Sequence, residues 1–421
     1  MVSNNPSAGR QKDIYVRGFS GKRPAINISL QDLEERARAA MNPEAFAYVA
    51  GGAGIESTVR SNRSAFEQYK IIPRMLRNVA ERNIGIELLG KKYPTPLFLS
   101  PIGVLELAHK EADVAVGKAA STLGIPYIFS SQSSRPMEEV ASAMGDQPRW
   151  FQLYWSKSRE LVGSFVQRAE VCGCEAIVVT LDTSMLGWRT RDLDMAYLPF
   201  LEGKGIAQYT SDPLFQKLMD EPDTESTAKR NITWHSLMGL IKMVDAYPGS
   251  GFISKLRSGR PVRAVQKFIS TFSNPALTWN DLKFLREQTK LPILLKGILH
   301  SDDAKLAIDY GVNGIIISNH GGRQVDGSIS TLDALPDITE VIKDRIPILL
   351  DSGIRGGADV FKALALGANA VCIGRPYVYG LAIAGQEGVE EVLRNFISDF
   401  DLTMGLSGCR NVAEIKRECL Q

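Results

Sequence analysis

The sequence predicts an α/β protein built on a closed (β/α)8 barrel, and three observations predict it. Eight short apolar runs recur between residues 96 and 376. An amphipathic stretch of helical period follows the runs in turn, and almost every run ends in polar or glycine residues. Each run is too short for a helix and lacks in/out alternation, as expected of a parallel strand buried on both faces.

The runs, in order, are PLFLSPIG (96–103), PYIFSS (126–131), RWFQLY (149–154), AIVVTLD (176–182), PILLKGI (292–298), GIIISNH (314–320), PILLDSG (347–353) and AVCIGRP (370–376). The matching helices fall at 111–123, 136–144, 157–172, 278–289, 302–310, 333–344, 357–366 and 387–404. Cap-like residues precede several of them, as in Ser301-Asp302-Asp303 and Thr278-Trp279-Asn280-Asp281. Gly124, Gly145, Gly173, Gly311 and Gly367 close others, where a left-handed terminal residue is wanted. An open doubly wound sheet would carry a G-x-G-x-x-G turn after its first strand, but SPIGVLELA follows instead.

Around this barrel (96–408) the sequence places an N-terminal extension, 1–95, and a tail, 409–421. The extension has an expected helix at Leu30–Tyr48 after a Ser29 cap. Between the fourth strand and its helix lie residues 183–277, where such loops usually run about 2–6 residues. An insertion of that length reads as a lid, a subunit contact or a docking surface. It holds an acidic run, Asp220-Glu221-Pro222-Asp223-Thr224-Glu225, and a basic amphipathic stretch from Ile232 to Phe272. That stretch carries Lys242, Lys255, Arg257, Arg260, Arg263 and Lys267 against Asp245 alone.

Bulk properties exclude several classes. The chain has 421 residues, 49 Lys+Arg and 47 Asp+Glu, so a net charge of +2 offers no field for nucleic acid. Five cysteines without a C-x-x-C read as reduced, buried thiols, and the polar N-terminus shows no signal region. No 18-residue apolar run follows, so the expectation is a cytoplasmic protein.

Active sites of these barrels sit at the C-terminal ends of the strands. Here those ends deliver Gly103, Ser130/Ser131, Gln152/Tyr154, Thr180/Asp182, Lys296, His320 with Arg323, Asp351 with Arg355, and Gly374-Arg375. Any one of them is explained equally well as a bonded loop residue, but a full ring points to one cavity. The seventh and eighth loops, DSGIRGG and IGR, combine glycines, two arginines and following helix N-termini, which suits a phosphate. Of the four histidines, His109, His235, His300 and His320, only the last lies at a strand end with an arginine three residues on. That pairing supplies a base and a cation for an anionic substrate, though His320 could instead simply bond a neighbouring loop. No H-x-H or H-E-x-x-H arrangement exists, so no metal site is expected.

With SNHGGRQ, KG, FQLY, VTLDT and DSGIRGGADVFKALALGA in place, the chain resembles the FMN-dependent α-hydroxy acid oxidase and dehydrogenase family from about Leu30 to its end. The resemblance implies that His320 takes the substrate's α-hydroxyl proton and that Asp182 stabilises the imidazolium. Arg323, Tyr48 and Arg189 would hold the substrate carboxylate, Tyr154 its hydroxyl or carbonyl oxygen, and Lys296 would lie near flavin N1/O2. Contacts to FMN would come from Pro101, Ile102, Gly103, Ser130, Gln152, Thr180 and Ser318. Asp351, Gly353, Arg355, Gly374 and Arg375 would serve the ribityl and phosphate groups. FMN fits better than FAD, as no adenine-binding motif is visible.

AYVAGGAG, PRML, LGWRTRDLD and YTSDPLFQK look most like the lactate 2-monooxygenase branch. That implies L-lactate and O2 as substrates, with acetate, CO2 and water formed if pyruvate stays trapped. Early pyruvate release would instead give hydrogen peroxide, as in an oxidase. Glycine at position 103, where many small-acid oxidases of the family carry alanine, fits the monooxygenase or mandelate dehydrogenase branches. The latter, with a quinone or carrier as acceptor, would use the 232–272 stretch as a membrane contact. Relatives of this type form homotetramers or homo-octamers. A non-catalytic flavin-binding or phosphate-binding scaffold is disfavoured, because the base, carboxylate, arginine and lysine positions are all occupied.

Overall fold

The computed structural model describes residues 6–221 and 234–421. Eight parallel strands close the barrel: β1 (Leu97–Leu99), β2 (Tyr127–Phe129), β3 (Arg149–Tyr154), β4 (Ile177–Thr180), β5 (Ile293–Ile298), β6 (Gly314–Ile317), β7 (Ile348–Leu350) and β8 (Ala370–Ile373). Each lies within its expected run. Every strand contributes to one buried inner layer, through Phe98, Ile128, Trp150, Val178, Leu294, Ile316, Leu349 and Cys372. Burying each of the larger ones stabilises the fold by roughly 1.5–3 kcal/mol. A two-stranded hairpin, Ile86–Leu88 and Lys91–Tyr93, closes the bottom of this layer with Leu88 and Tyr93.

The eight barrel helices also appear, with corrections at their ends. His300, not Ser301, caps the helix Ser301–Asp309: its Nδ1 accepts from the Asp302 amide at 3.1 Å. The helix expected from 278 starts at Asp281 behind an Asn280 that makes no side-chain cap, while the Asp281 carboxylate reaches back to Thr278. The last helix runs Arg375–Leu406, broken at Ala384 and Gly385, where φ reaches +57°. Gly124, Gly145, Gly173, Gly311 and Gly367 all adopt positive φ as expected. Among the cysteines, only Cys174, Cys372 and Cys409 are buried; Cys172 and Cys419 are half-buried.

The extension is richer than its sequence suggested. The expected helix Leu30–Tyr48 is two helices, α2 (Leu30–Ala40) and α3 (Pro43–Ala50). Pro43 cannot continue a helix from its interior, whereas the Asn42 carboxamide can start one by accepting from the Ala45 amide at 2.7 Å. The Ser29 cap is present, accepting from Asp32 at 3.5 Å. Two unexpected helices join them: α1 (Pro6–Phe19), docked on the last barrel helix, and α4 (Ser57–Gln68), beside the loops after β6 and β7. The 409–421 segment returns as short 3-10 turns, with Leu420 bridged to Ile71.

Within 183–277, the described residues form short helices at 190–194, 207–210 and 213–218, then Trp234–Ala246, Phe252–Ser258 and Arg260–Thr271. Of the acidic run, Asp220 and Glu221 are described and 222–225 lie outside the described residues, as do 232 and 233 of the basic stretch. Asp220 meets Arg260 at 3.1 Å, so the two charge runs touch. Rings fasten the insertion: Tyr48 to Phe200 (6.5 Å), Phe200 to Phe268 (5.1 Å), Phe268 to Tyr209 (4.9 Å), and Tyr209 to Phe165 on a barrel helix (5.0 Å). Asp212, fully buried, caps 213–218 and accepts from Ser164 and Arg168 of that same barrel helix.

Candidate active site

Strand register brings the polar ends together. Tyr154 aligns with Thr180 across β3 and β4, and Thr180 with Lys296 across β4 and β5. A bulge follows in β5 at Gly297, where φ is +107° and an added Cβ would stand 2.9 Å from the Asp182 Cβ. Only glycine lets β5 pass that close to Asp182.

A cavity of about 430 Å³ opens at this end of the barrel. Its walls carry Tyr48, Pro101, Ile102, Gly103, Tyr154, Arg189, Lys296, His320, Arg323, Asp351, Gly353, Arg355, Gly374 and Arg375. Asp182, Ser318, Ser130, Gln152 and Thr180 stand behind that wall. Asp182 Oδ1 holds His320 Nδ1 at 2.8 Å, and Ser318 Oγ accepts from Lys296 Nζ at 2.7 Å and from the His320 amide at 3.1 Å. Ser130 bonds inward to Gln152 and to the Gln132 amide.

Electrostatics assign the protons. Burial lowers the His320 pKa more than the Asp182 contact raises it, so the imidazole is held neutral. Burial alone would raise Asp182, but His320 and Lys296 hold its carboxyl down at about 2. With Nδ1–H given to the carboxylate, Nε2 is the free acceptor, as a general base requires. Lys296 is driven down by burial, yet Asp351, at 3.1 Å, and Asp182 raise it, so it stays charged. Burial pushes the Tyr154 phenol up to about 12, and Asp182 adds to that, which keeps its proton in place. His320 itself adopts φ +57°, a strained conformation costing about 1–3 kcal/mol, of the kind that clusters at functional sites.

Two pairs of arginines crowd the cavity wall. Arg323 is pushed down to about 9 by burial and by Arg189, and Arg355 to about 10 by burial and by Arg375. Crowding like charges in a buried wall is unfavourable unless an anion neutralises them. Arg323 stands over the Tyr48 ring at 5.0 Å and donates to the Tyr48 and Gly51 carbonyls. Arg375 is braced on the Val49, Gly321 and Gly51 carbonyls.

The sequence missed several contributors. Thr183 donates to Asp182 at 3.0 Å and lies 3.2 Å from His320 Nδ1; its place beside Asp182 was the available signal. Gln324 donates to the Asp182 carbonyl at 2.6 Å and also meets Arg189. Leu186, Leu198, Phe200, Leu201, Phe268, Ile269 and Phe272 of the insertion form the apolar roof, and no local pattern announces them. A Cβ on Gly103 would lie 2.9 Å from Gln132, so alanine needs the 131–133 loop to move.

The family model described as FMN-dependent dehydrogenase matches residues 37–421. The chain belongs to that family. It is an FMN-dependent oxidoreductase, and its residues fit the cofactor on structural grounds as well. Gln152 Nε2 and Thr180 Oγ1 are buried at the strand ends without a partner among the described residues, and the Arg355–Arg375 pair with Gly353 and Gly374 suits a phosphate.

The chain is 41% identical over 412 residues to an FMN-dependent alpha-hydroxy acid dehydrogenase of Penicillium citrinum, covering 98% of this chain and 95% of that protein. It is 41% identical to an L-lactate oxidase of Lysinibacillus sphaericus (96% and 95% covered) and 36% to human 2-hydroxyacid oxidase 1 (93% and 95%). Among solved structures, mandelate oxidase with (S)-4-hydroxymandelic acid superimposes with a TM-score of 0.77 at 34% identity, covering 94% and 98%. Among the described residues, no helix is long and apolar enough to cross a membrane.

Proposed function

We propose that the protein oxidises an L-2-hydroxy acid, L-lactate first among candidates, to the 2-oxo acid, with O2 as final acceptor. The observation that carries this reading is the neutral His320, oriented by Asp182 and set in one wall with the paired cations Arg323 and Arg189. When bound, FMN would supply the acceptor for the α-hydrogen together with the two electrons of its C–H bond. His320 Nε2 takes the α-hydroxyl proton, and Asp182 stabilises the imidazolium that forms. Arg323 and Arg189, with the Tyr48 ring between them and the roof, fix the substrate carboxylate. Tyr154, held protonated, donates to the substrate oxygen, and the Lys296 cation supports negative charge at the cofactor's pyrimidine edge. Pro101–Gly103, Ser130, Gln152, Thr180 and Ser318 serve the ring, and Asp351, Gly353, Arg355, Gly374 and Arg375 the ribityl and phosphate.

On this reading the described part of the 183–277 insertion is a lid. Its phenylalanine roof favours retention of pyruvate, and with it the monooxygenase outcome: lactate and O2 become acetate, CO2 and water. The kinship with L-lactate oxidase favours the second outcome, pyruvate and hydrogen peroxide in equal amounts. Anaerobic bleaching of the FMN-loaded protein by a panel of 2-hydroxy acids tests the oxidation, and no bleaching by any of them would refute it. Product assays with O2 then separate the outcomes.

A mandelate-type dehydrogenase on a membrane surface is the remaining reading. The exposed Trp234 (72%) and Ile253 (64%), the latter on one helix with Lys255 and Arg257, support it, and sedimentation with anionic liposomes tests it.

A further inference from the structure

The helix α4 lies outside the barrel, yet one of its side chains reaches the catalytic loops. Asn62 and Asn319 are both buried, at 3% and 5% exposure. They form a reciprocal amide pair: Asn62 Nδ2 donates to Asn319 Oδ1 at 2.9 Å, and Asn319 Nδ2 donates to Asn62 Oδ1 at 2.7 Å. Asn319 is saturated. Asn319 Oδ1 also accepts from the Gly322 amide at 3.1 Å, and its Nδ2 also donates to the Ile329 carbonyl at 3.1 Å.

Asn319 immediately precedes His320, and Gly322 immediately precedes Arg323. The pair therefore staples both ends of the turn in which His320 takes φ +57°. A non-glycine residue in that backbone conformation needs external support to stay there. Asn62 reaches the next loop too. Its Oδ1 lies 3.4 Å from the Thr331 amide, and the Thr331 hydroxyl donates to the Asp351 carbonyl at 2.7 Å. The α4 backbone closes the same contact, because a Cβ on Gly353 would collide with the Asn62 carbonyl.

We infer that Asn62, in the N-terminal extension, is a positioning residue that aims His320 and Arg323 through its amide pair with Asn319. This rests on the reading of His320 as the base. Only a side chain that donates and accepts at once can complete the pair. Alanine does neither, and an aspartate carboxylate only accepts. Without the pair, the 319–322 turn relaxes toward commoner backbone angles and the His320 Nδ1 to Asp182 contact lengthens. Misplacement of that order costs about 10²-fold in rate.

The test compares Asn62→Ala and Asn62→Asp with the wild type and with His320→Ala, all as FMN-loaded full-length protein. The measurements are FMN content by absorbance, thermal midpoint, kcat, KM and the pH profile of kcat/KM, with the 2-hydroxy acid that best reduces the wild type. The expected result is bound FMN, kcat down by about 10²-fold, KM raised as Arg323 loses its aim at the substrate carboxylate, and a pH midpoint moved down as Asp182 loses its hold on His320. Either variant with wild-type kcat and an unmoved midpoint overturns the inference, whatever its thermal midpoint, because the pair is then packing alone. Loss of FMN or of the fold in both variants also overturns it. Full turnover by His320→Ala would strike instead at the reading of the base, and leaves the two failures distinguishable.

Discussion

The ring of strand ends and the insertion that roofs it are held by different physics. Tyr154, Thr180 and Lys296 sit on adjacent strands in register, and His320 is fixed by a 2.8 Å contact to Asp182, so every polar group has a short covalent path to a rigid strand. The roof is held by ring contacts between Tyr48, Phe200, Phe268 and Tyr209, and its outer helices leave Trp234 and Ile253 in solvent. Directional bonds fix positions to fractions of an ångström, whereas ring packing tolerates sliding. On the proposed function, chemistry belongs to the first region, and access and product fate to the second.

The sharpest way to break that division is at the base. His320→Ala should slow reduction of the bound flavin by about 10²–10⁴-fold while FMN remains bound, which rapid-mixing absorbance measures. Arg323→Met should weaken the hydroxy acid by about 10²-fold or more, as expected when one partner of a buried charge pair is removed. Titration of the oxidised protein with the 2-oxo acid reads that loss directly.

In the roof, Phe268→Ala should lower stability by about 3–5 kcal/mol in a denaturant titration. It should raise the hydrogen peroxide yield per lactate while flavin reduction changes far less. An unaltered product ratio would remove product retention from the role of the insertion.

The pH dependence distinguishes the regions more finely. A base must be neutral, so kcat/KM should rise with pH through the His320 pKa and then level off. Burial puts that pKa below the ordinary value of about 6.5, so the plateau should extend below that pH. Asp182→Asn removes a contact that raises His320, so the midpoint should move lower still as the plateau falls. The smallest effect belongs to the outer surface: Ile253→Ser should change stability by no more than about 0.5 kcal/mol and leave turnover unaltered.

The barrel was legible because each strand is a local apolar run, and the site ring was legible because it lies at the C-terminal end of each run or a few residues beyond it. His320, Arg323, Asp182, Lys296 and the Arg355–Arg375 pair all follow from that rule. The extension was read poorly. Leu30–Tyr48 looks continuous by period, but Asn42-Pro43 stops one helix and starts another. The helix Ser57–Gln68 has a weak apolar face, and its Asn62 and Arg63 matter for partners some 257 and 290 residues away. Thr183 was hidden beside a stronger neighbour.

Local periodicity and strand-end chemistry thus determined the fold class, the catalytic end of the barrel and the residues facing it, because those signals are carried by near neighbours in the chain. Tertiary structure alone decided which phenylalanines roof the cavity, how α4 braces the His320 turn, and which nitrogen of His320 is free. Those depend on contacts between distant segments, whose partners are chosen by shape and burial in the folded protein.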